Sequence, residues 1–245
     1  MAKIRADVLL VTQGLAPSRE RARAYILAGK VFRGEQRVDK AGEKLDADTP
    51  LTVRGVDHPY VSRGGVKLEG ALDAFEWDVE GVVAADFGAS TGGFTDCLLQ
   101  RGAVRVFAID VGYGQLHPRL RSDPRVVVLE RTNARHLTSE DIGAKVDLVV
   151  IDASFIGLEK LLPAARAILQ PDGRVLAMVK PQFQVGRGEV GKGGVVRDPL
   201  KRAAAIQAVA DAAIELDFVV EARVDAAIKG PKGNLEAFLA LRLPA

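Results

Sequence analysis

Cysteine is nearly absent from this 245-residue chain, and the lone Cys97 excludes an intrachain disulfide framework. Histidine is almost as scarce. His58, His117 and His136 lie far apart and are too few, with one cysteine, for a typical zinc site, so no metal is expected. Long apolar runs are missing: no uninterrupted stretch approaches the ~20 residues of a membrane span. The opening segment Met1-Ala2-Lys3-Ile4-Arg5-Ala6-Asp7 lacks the apolar core of a secretory signal. A cytoplasmic, monomeric protein without a membrane partner is expected. A dominant charge is missing too. Thirty-four basic residues face 32 acidic ones, a net charge of +2, so any surface for nucleic acid must be local. Hydrophobic residues are abundant at 48%, which excludes wholesale disorder and supplies a sizeable core. The length suits one larger or two smaller domains.

The most informative stretch is Asp86-Phe87-Gly88-Ala89-Ser90-Thr91-Gly92-Gly93-Phe94-Thr95-Asp96. It follows the apolar Val82-Val83-Ala84-Ala85 and precedes the helix-like Cys97-Leu98-Leu99-Gln100, so a buried strand, a glycine-rich turn and a helix start come in that order. Glycines let the backbone approach a ligand, and the first amides of the helix offer donors to it. Val106-Phe107-Ala108-Ile109-Asp110 then reads as a second strand ending in a carboxylate placed to accept from ribose hydroxyls. The loop has neither the Gly-x-x-x-x-Gly-Lys-Ser/Thr cradle nor Gly-x-Gly-x-x-Gly, which disfavours nucleoside triphosphates and dinucleotides. A nucleoside without pyrophosphate fits, and S-adenosylmethionine is the obvious case. An ordinary strand-to-helix turn remains the alternative for this loop taken alone.

The first 60 residues differ in character from the rest of the chain. Arg5 to Gln13 reads as a short helix, and a second runs from Ser18, a suitable N-cap, through Ala28 to a stop at Gly29. Val31-Phe32-Arg33, Gln36-Arg37-Val38 and Leu51-Thr52-Val53 are strand-like. Between positions 17 and 40 seven basic residues face three acidic ones. Arg19 and Arg23 share a helix face that either tracks RNA phosphates or is merely solvated. Arg5-Ala6-Asp7 through Gly14-Leu15, Ser18-Arg19 with Ala22, and Ala28-Gly29-Lys30-Val31 resemble an S4 domain. That resemblance implies a helical hairpin with short strands that grips structured RNA by shape and phosphate contacts.

Asp57-His58-Pro59-Tyr60 reads as a linker, giving domains 1–59 and 60–245. From Val66 to Phe75 apolar residues recur at helical spacing. Strands are expected near 82–86, 105–109, 126–129, 146–151, 174–179, 217–224 and 235–243, with helices including 94–101, 155–169 and 199–216. This alternation predicts an α/β domain with a mostly parallel seven-stranded sheet covered on both faces. The turn-rich Lys229-Gly230-Pro231-Lys232-Gly233 leaves a final antiparallel hairpin, which resembles class I (Rossmann-like) methyltransferases. The glycine-rich stretch from Gly186 to Arg197 is expected to close over the active site on RNA, the alternative being a flexible connection.

Four charged positions stand out beyond the glycine loop. Asp152 closes the strand-like Val146-Asp147-Leu148-Val149-Val150-Ile151, and Lys180 closes Val175-Leu176-Ala177-Met178-Val179. Open α/β sheets place their sites at such strand ends. Lys67 sits on the helix ahead of the sheet and Glu236 near the start of the last strand. Two lysines and two carboxylates around a methyl donor suit methylation of an alcohol. A ribose hydroxyl is a poor nucleophile until its proton is taken, and a buried lysine beside a second ammonium is able to take it. Singly, each residue also reads as an ordinary strand-end ion pair.

Lys67, Asp152, Lys180 and Glu236 resemble, in order and context, the tetrad of FtsJ-like RNA 2′-O-methyltransferases. With the S4-like segment in front, nearly the whole chain resembles the TlyA family, whose members carry both hemolysin and ribosomal RNA methyltransferase names. The most specific stretches are Val61-Ser62-Arg63-Gly64-Gly65-Val66-Lys67-Leu68, Gly88 to Thr95, Asp110-Val111-Gly112-Tyr113-Gly114-Gln115-Leu116, Glu130-Arg131-Thr132-Asn133-Ala134-Arg135, Asp152-Ala153-Ser154-Phe155-Ile156 and Val179-Lys180-Pro181-Gln182-Phe183. The resemblance implies methyl transfer from S-adenosylmethionine to the ribose of cytidine in ribosomal RNA, commonly of the large subunit and in some members also of the small. It implies a cofactor site of Gly88, Ala89, Ser90, Gly92, Gly93, Phe94, Asp110, Asn133, Asp152 and Phe155. RNA contacts are expected from Arg5, Arg19, Arg23, Lys30, Arg63, Arg187 and Lys192, with the local basic excess pointing to Arg19, Arg23 and Lys30. Tyr60 stands where some members have Trp. A hemolysin finds no support in the sequence, which has no helix combining a strong apolar face with a Lys/Arg-rich one.

Overall fold

The computed structural model describes residues 3–16, 18–54, 58–186, 190–191, 193–230 and 232–245. They form two compact units, Met1–Asp57 and His58–Ala245.

In the first unit β1 (Lys3–Arg5) leads directly into α1 (Ala6–Thr12), followed by α2 (Arg19–Leu27), β2 (Val31–Arg33), β3 (Gln36–Arg37), β4 (Lys44–Asp46) and β5 (Thr52–Val53). The Ser18 side chain accepts from the Arg21 amide at 3.2 Å and caps α2. Gly29, at φ +66°, follows its end. Arg5 belongs to a strand and not to the first helix, because β1 pairs with β4 in an antiparallel ladder that holds it extended. β2 is flanked by β3 and β5. Leu9, Leu10, Tyr25, Ile26, Val31, Val38, Leu45 and Leu51 form the core of this unit.

The second unit opens with α3 (Gly64–Ala74) and then alternates. Its elements are β6 (Val83–Phe87), α4 (Gly93–Gln100), β7 (Arg105–Ile109), α5 (Pro118–Arg121), β8 (Val126–Leu129), α6 (Ser139–Ile142), β9 (Val146–Ile151), α7 (Leu162–Ile168), β10 (Leu169–Val179), α8 (Pro181–Gln184), α9 (Pro199–Ile214), β11 (Val219–Asp225) and β12 (Ala237–Arg242). The sheet order is β11-β12-β10-β9-β6-β7-β8, with β6 to β10 parallel and β12 antiparallel to both neighbours. The chain runs outward from β6 to β8 and returns to place β9 on the other side of β6. The switch point therefore lies between β6 and β9, where α/β sheets open a crevice at their carboxyl edge. Leu68, Leu72 and Leu98 of α3 and α4 cover one face; Leu162, Ile168, Ile206 and Val209 of α7 and α9 cover the other. Burial on both faces is why the central strands read as continuous apolar runs.

Three further expectations shift. The helix read over 155–169 is a one-turn 3-10 helix at Leu158–Lys160 followed by α7. Phe155 takes φ +64°, which no right-handed helix tolerates. β10 begins at Leu169, earlier than 174, because Leu169 pairs with Val146 before a register shift that ends at Arg174. Tyr60, read as linker, is buried against α3, where its hydroxyl donates to Glu69 Oε1 at 2.6 Å.

Candidate active site

The site begins with a close approach of two helices. A Cβ on Gly93, at the start of α4, would lie 2.2 Å from Ser62 Oγ and 3.0 Å from the Gly65 amide. Only glycine permits that contact, and it brings Lys67, one turn into α3, to the carboxyl edge of the sheet. There Lys67 Nζ meets Glu236 Oε2 at 2.5 Å, with both side chains buried. Glu236 immediately precedes β12.

A second pair arises from the parallel neighbours β9 and β10, whose carboxyl ends deliver Asp152 and Lys180 side by side. Lys180 Nζ lies 2.6 Å from Asp152 Oδ1 and donates to Ser154 Oγ at 2.9 Å and to the Asp152 carbonyl at 3.3 Å. Both pairs line one cavity of about 610 Å³. Burial pushes the Asp152 carboxyl above its ordinary value. The Lys180 and Lys67 ammoniums pull it back, and Glu236 adds to the rise. The four side chains thus act on one another electrostatically.

The glycine loop forms the facing wall. Gly88 takes φ +88°, and a Cβ there would lie 3.0 Å from the Asp152 carbonyl oxygen, so the loop lies against the end of β9. Asp86, the penultimate residue of β6, is fully buried. Its Oδ2 accepts from the Thr95 amide at 3.0 Å and from Thr95 Oγ1 at 2.7 Å, while Oδ1 has no partner. Burial raises this carboxyl to about 7, the Asp152 and Asp110 charges adding to the effect against the Thr95 hydrogen bonds. A buried carboxylate oxygen without a donor, in a cavity wall, is a receptor for an N–H donor or a cation.

The residues singled out from sequence fall in different places. Gly88, Ala89, Ser90, Gly93 and Phe94 line the cavity, as do all four members of the tetrad. Gly92 stands behind the loop, where a Cβ would strike Leu120 and Leu116. Asp110 ties two loops together, accepting from the Ser90 amide at 2.8 Å and the Gly112 amide at 2.7 Å. A carboxylate has about four acceptor sites, so it retains capacity for hydroxyls. Asn133 is exposed after β8, outside the cavity wall, and its Oδ1 accepts from the Arg135 amide. Phe155 stands at the cavity mouth, 91% exposed, with its ring 5.0 Å from that of Phe183. Arg63 is also at the mouth and donates to the Lys229 carbonyl at 3.1 Å. Arg5, Arg19, Arg23 and Lys30 belong to the first unit. Arg187 and Lys192 lie outside the described residues. Asp86 and Ser154 carry roles that sequence motifs alone did not assign. The signal for Asp86 was available, since it is a charge inside an otherwise apolar strand just ahead of a glycine loop.

The pattern of the FtsJ-like methyltransferase family matches residues 60–243, and that of the S4 domain matches residues 4–49. The chain belongs to the FtsJ-like methyltransferase family. Within it the chain is of the TlyA type, with an S4 domain ahead of the FtsJ-like one. A relative from Mycobacterium tuberculosis, named 16S/23S rRNA (cytidine-2′-O)-methyltransferase TlyA, is 51% identical over 241 residues, covering 98% of this chain and 90% of the relative. Hemolysin A of Brachyspira hyodysenteriae is 40% identical over 235 residues, 95% of this chain and 97% of the relative. A solved structure from Streptococcus thermophilus with a provisional hemolysin name superposes with a TM-score of 0.78 at 42% identity, covering 100% of this chain and 90% of that one. In this FtsJ-like methyltransferase no helix among the described residues is long and apolar enough to cross a membrane.

Proposed function

We propose that this chain is an S-adenosylmethionine-dependent methyltransferase acting on the 2′-hydroxyl of cytidine in ribosomal RNA, with the S4 unit docking on that RNA. The observation that carries the reading is the convergence of Lys67–Glu236 and Lys180–Asp152 on one cavity with the glycine loop. S-adenosylmethionine, when bound, supplies the methyl group as an electrophile on its sulfonium. The residues present suit it: the unpartnered Asp86 Oδ1 suits its ammonium, and Asp110 retains acceptor capacity for ribose hydroxyls. Lys180 is the group nearest the attacking 2′-hydroxyl: once it has given up its own proton to solvent it acts as the general base, or as the ammonium it holds the oxygen while the hydroxyl proton leaves. Asp152 and Ser154 keep the Lys180 amine oriented. Lys67 and Glu236 position the ribose and balance charge. The names of the relatives support ribosomal RNA as substrate in large subunits and also in small ones. A monomer working in the cytoplasm suits that substrate.

Single-turnover methyl transfer to purified ribosomal subunits tests this reading. Lys180→Ala should lose on the order of 10²–10⁴ in rate while still binding cofactor and RNA. A variant that transfers methyl at nearly the wild-type rate would remove Lys180 from the chemistry.

A further inference from the structure

The S4 unit contains a fully buried carboxylate that the proposed chemistry does not use. Asp7, in the first turn of α1, is 0% exposed. Three arginines from two elements converge on it. Arg5, from β1, donates Nε to Oδ1 at 2.9 Å and Nη2 to Oδ2 at 3.1 Å. From α2, Arg19 Nη2 lies 3.3 Å and Arg23 Nε 3.5 Å from Oδ2. The carboxylate is buried, yet the arginine side chains are 41%, 58% and 59% exposed. One negative charge is thus shared by three positive ones, which leaves a local excess of two. A guanidinium has five N–H donors in a rigid fork, so one carboxylate cannot consume those of three.

We infer that Asp7 is a positioning residue that gathers Arg5, Arg19 and Arg23 into a single preorganised receptor for the phosphodiester backbone of structured RNA. This rests on the proposed docking of the S4 unit on RNA. The physical reason is conformational. A free arginine loses rotamer freedom when it grips a phosphate, and an arginine already held by Asp7 has lost part of it beforehand. Fork-shaped donors matched to a phosphate provide geometry that lone lysines lack. The remainder of the local charge balance favours an anion, since the three arginines outnumber the carboxylate they share.

The sign of one substitution separates this role from a simple counter-charge. Asp7→Asn makes the unit more positive by one. If Asp7 only offset charge, the full-length variant would bind ribosomal subunits more tightly and with a steeper salt dependence. As a positioning residue its loss should weaken binding, about tenfold, despite the added charge. Affinity for purified large ribosomal subunits would be measured on the full chain across a salt series, with thermal unfolding and cofactor affinity recorded in parallel. Tighter or unchanged binding by a folded Asp7→Asn overturns the inference while leaving the docking role of the unit intact. Failure of the wild-type chain to bind subunits overturns both. Should Asp7→Asn not fold, the Arg19→Lys/Arg23→Lys double variant decides. It keeps every charge but removes the forks, so binding should fall by about tenfold, and unchanged binding refutes the inference. Polyglutamate competing as well as RNA would assign the cluster to an acidic protein and refute it too.

Discussion

Replacing Asp86 by asparagine should stabilise the folded protein and weaken its cofactor binding at the same time. The folded chain holds this carboxyl fully buried, with Thr95 on Oδ2, no partner on Oδ1, and a value near 7. Unfolded, the group would titrate near the usual ~3.9. Because the folded value is the higher one, the stability from this group is fully present below about pH 4 and is lost as pH rises through 7. At ~1.4 kcal/mol per pH unit the loss amounts to ~4 kcal/mol. Asparagine mimics the protonated acid, so Asp86→Asn should be the more stable protein at pH 8, and the difference should close on acidification toward pH 4. Cofactor binding should respond in the opposite sense. If the ammonium of S-adenosylmethionine needs the ionised form, wild-type affinity at pH 5.5 should be ~30-fold weaker than on the plateau above 7. The asparagine variant should be weak throughout and flat over that range. Thermal unfolding and titration calorimetry at matched pH values would measure both. Wild-type affinity at pH 8 in the variant, or a pH slope that persists in it, would show that the orphan oxygen receives no cation.

The other predictions concern the polar residues around the cavity. Lys180→Arg should not restore the transfer lost in Lys180→Ala, because a guanidinium keeps its proton; rapid transfer by the arginine variant would leave Lys180 an electrostatic role only. Glu236→Gln strips the Lys67 ammonium of its buried partner and should cost ~3–5 kcal/mol in denaturant unfolding. The Lys67→Met/Glu236→Leu pair should recover that stability without recovering methyl transfer. Asp110→Ala should weaken S-adenosylmethionine binding at least tenfold, the loss of one charge-assisted hydrogen bond at ~1.5–3 kcal/mol, and unchanged calorimetric affinity in a folded variant would remove Asp110 from the ribose site.

Much of the parallel sheet was legible because its strands are buried on both faces and so carry continuous apolar runs, as in Leu148 to Ile151. β1 and β4 escaped notice because Lys3–Arg5 and Lys44–Asp46 each set a single apolar residue between two charged ones, and their pairing joins residues far apart in sequence. The region 155–169 has a helical composition, but composition does not reveal that Phe155 adopts φ +64° and delays the helix to Leu162. The tetrad could be picked out as charges at the ends of apolar runs. How its members pair could not, since Lys67 and Glu236 meet only through the approach of α3 to α4 and the return of the final hairpin. Asp86 carried its signal in plain view, whereas its unpartnered oxygen depends on Thr95 occupying one side of the carboxylate. Arg19 and Arg23 were seen to share a helix face, but the buried Asp7 that draws them to Arg5 sits on another helix.

The position of the transferred methyl group tests the proposed activity most directly. Ribosomal subunits would be incubated with the protein and S-adenosylmethionine, and their RNA then cleaved with mild alkali. A methylated 2′-oxygen cannot attack the neighbouring phosphorus, so the bond following the modified nucleotide survives. An alkali-resistant step after a cytidine should appear with the wild-type protein and be missing with Lys180→Ala. Methyl incorporation that leaves every step alkali-labile would place the group on a base and contradict 2′-O-methylation.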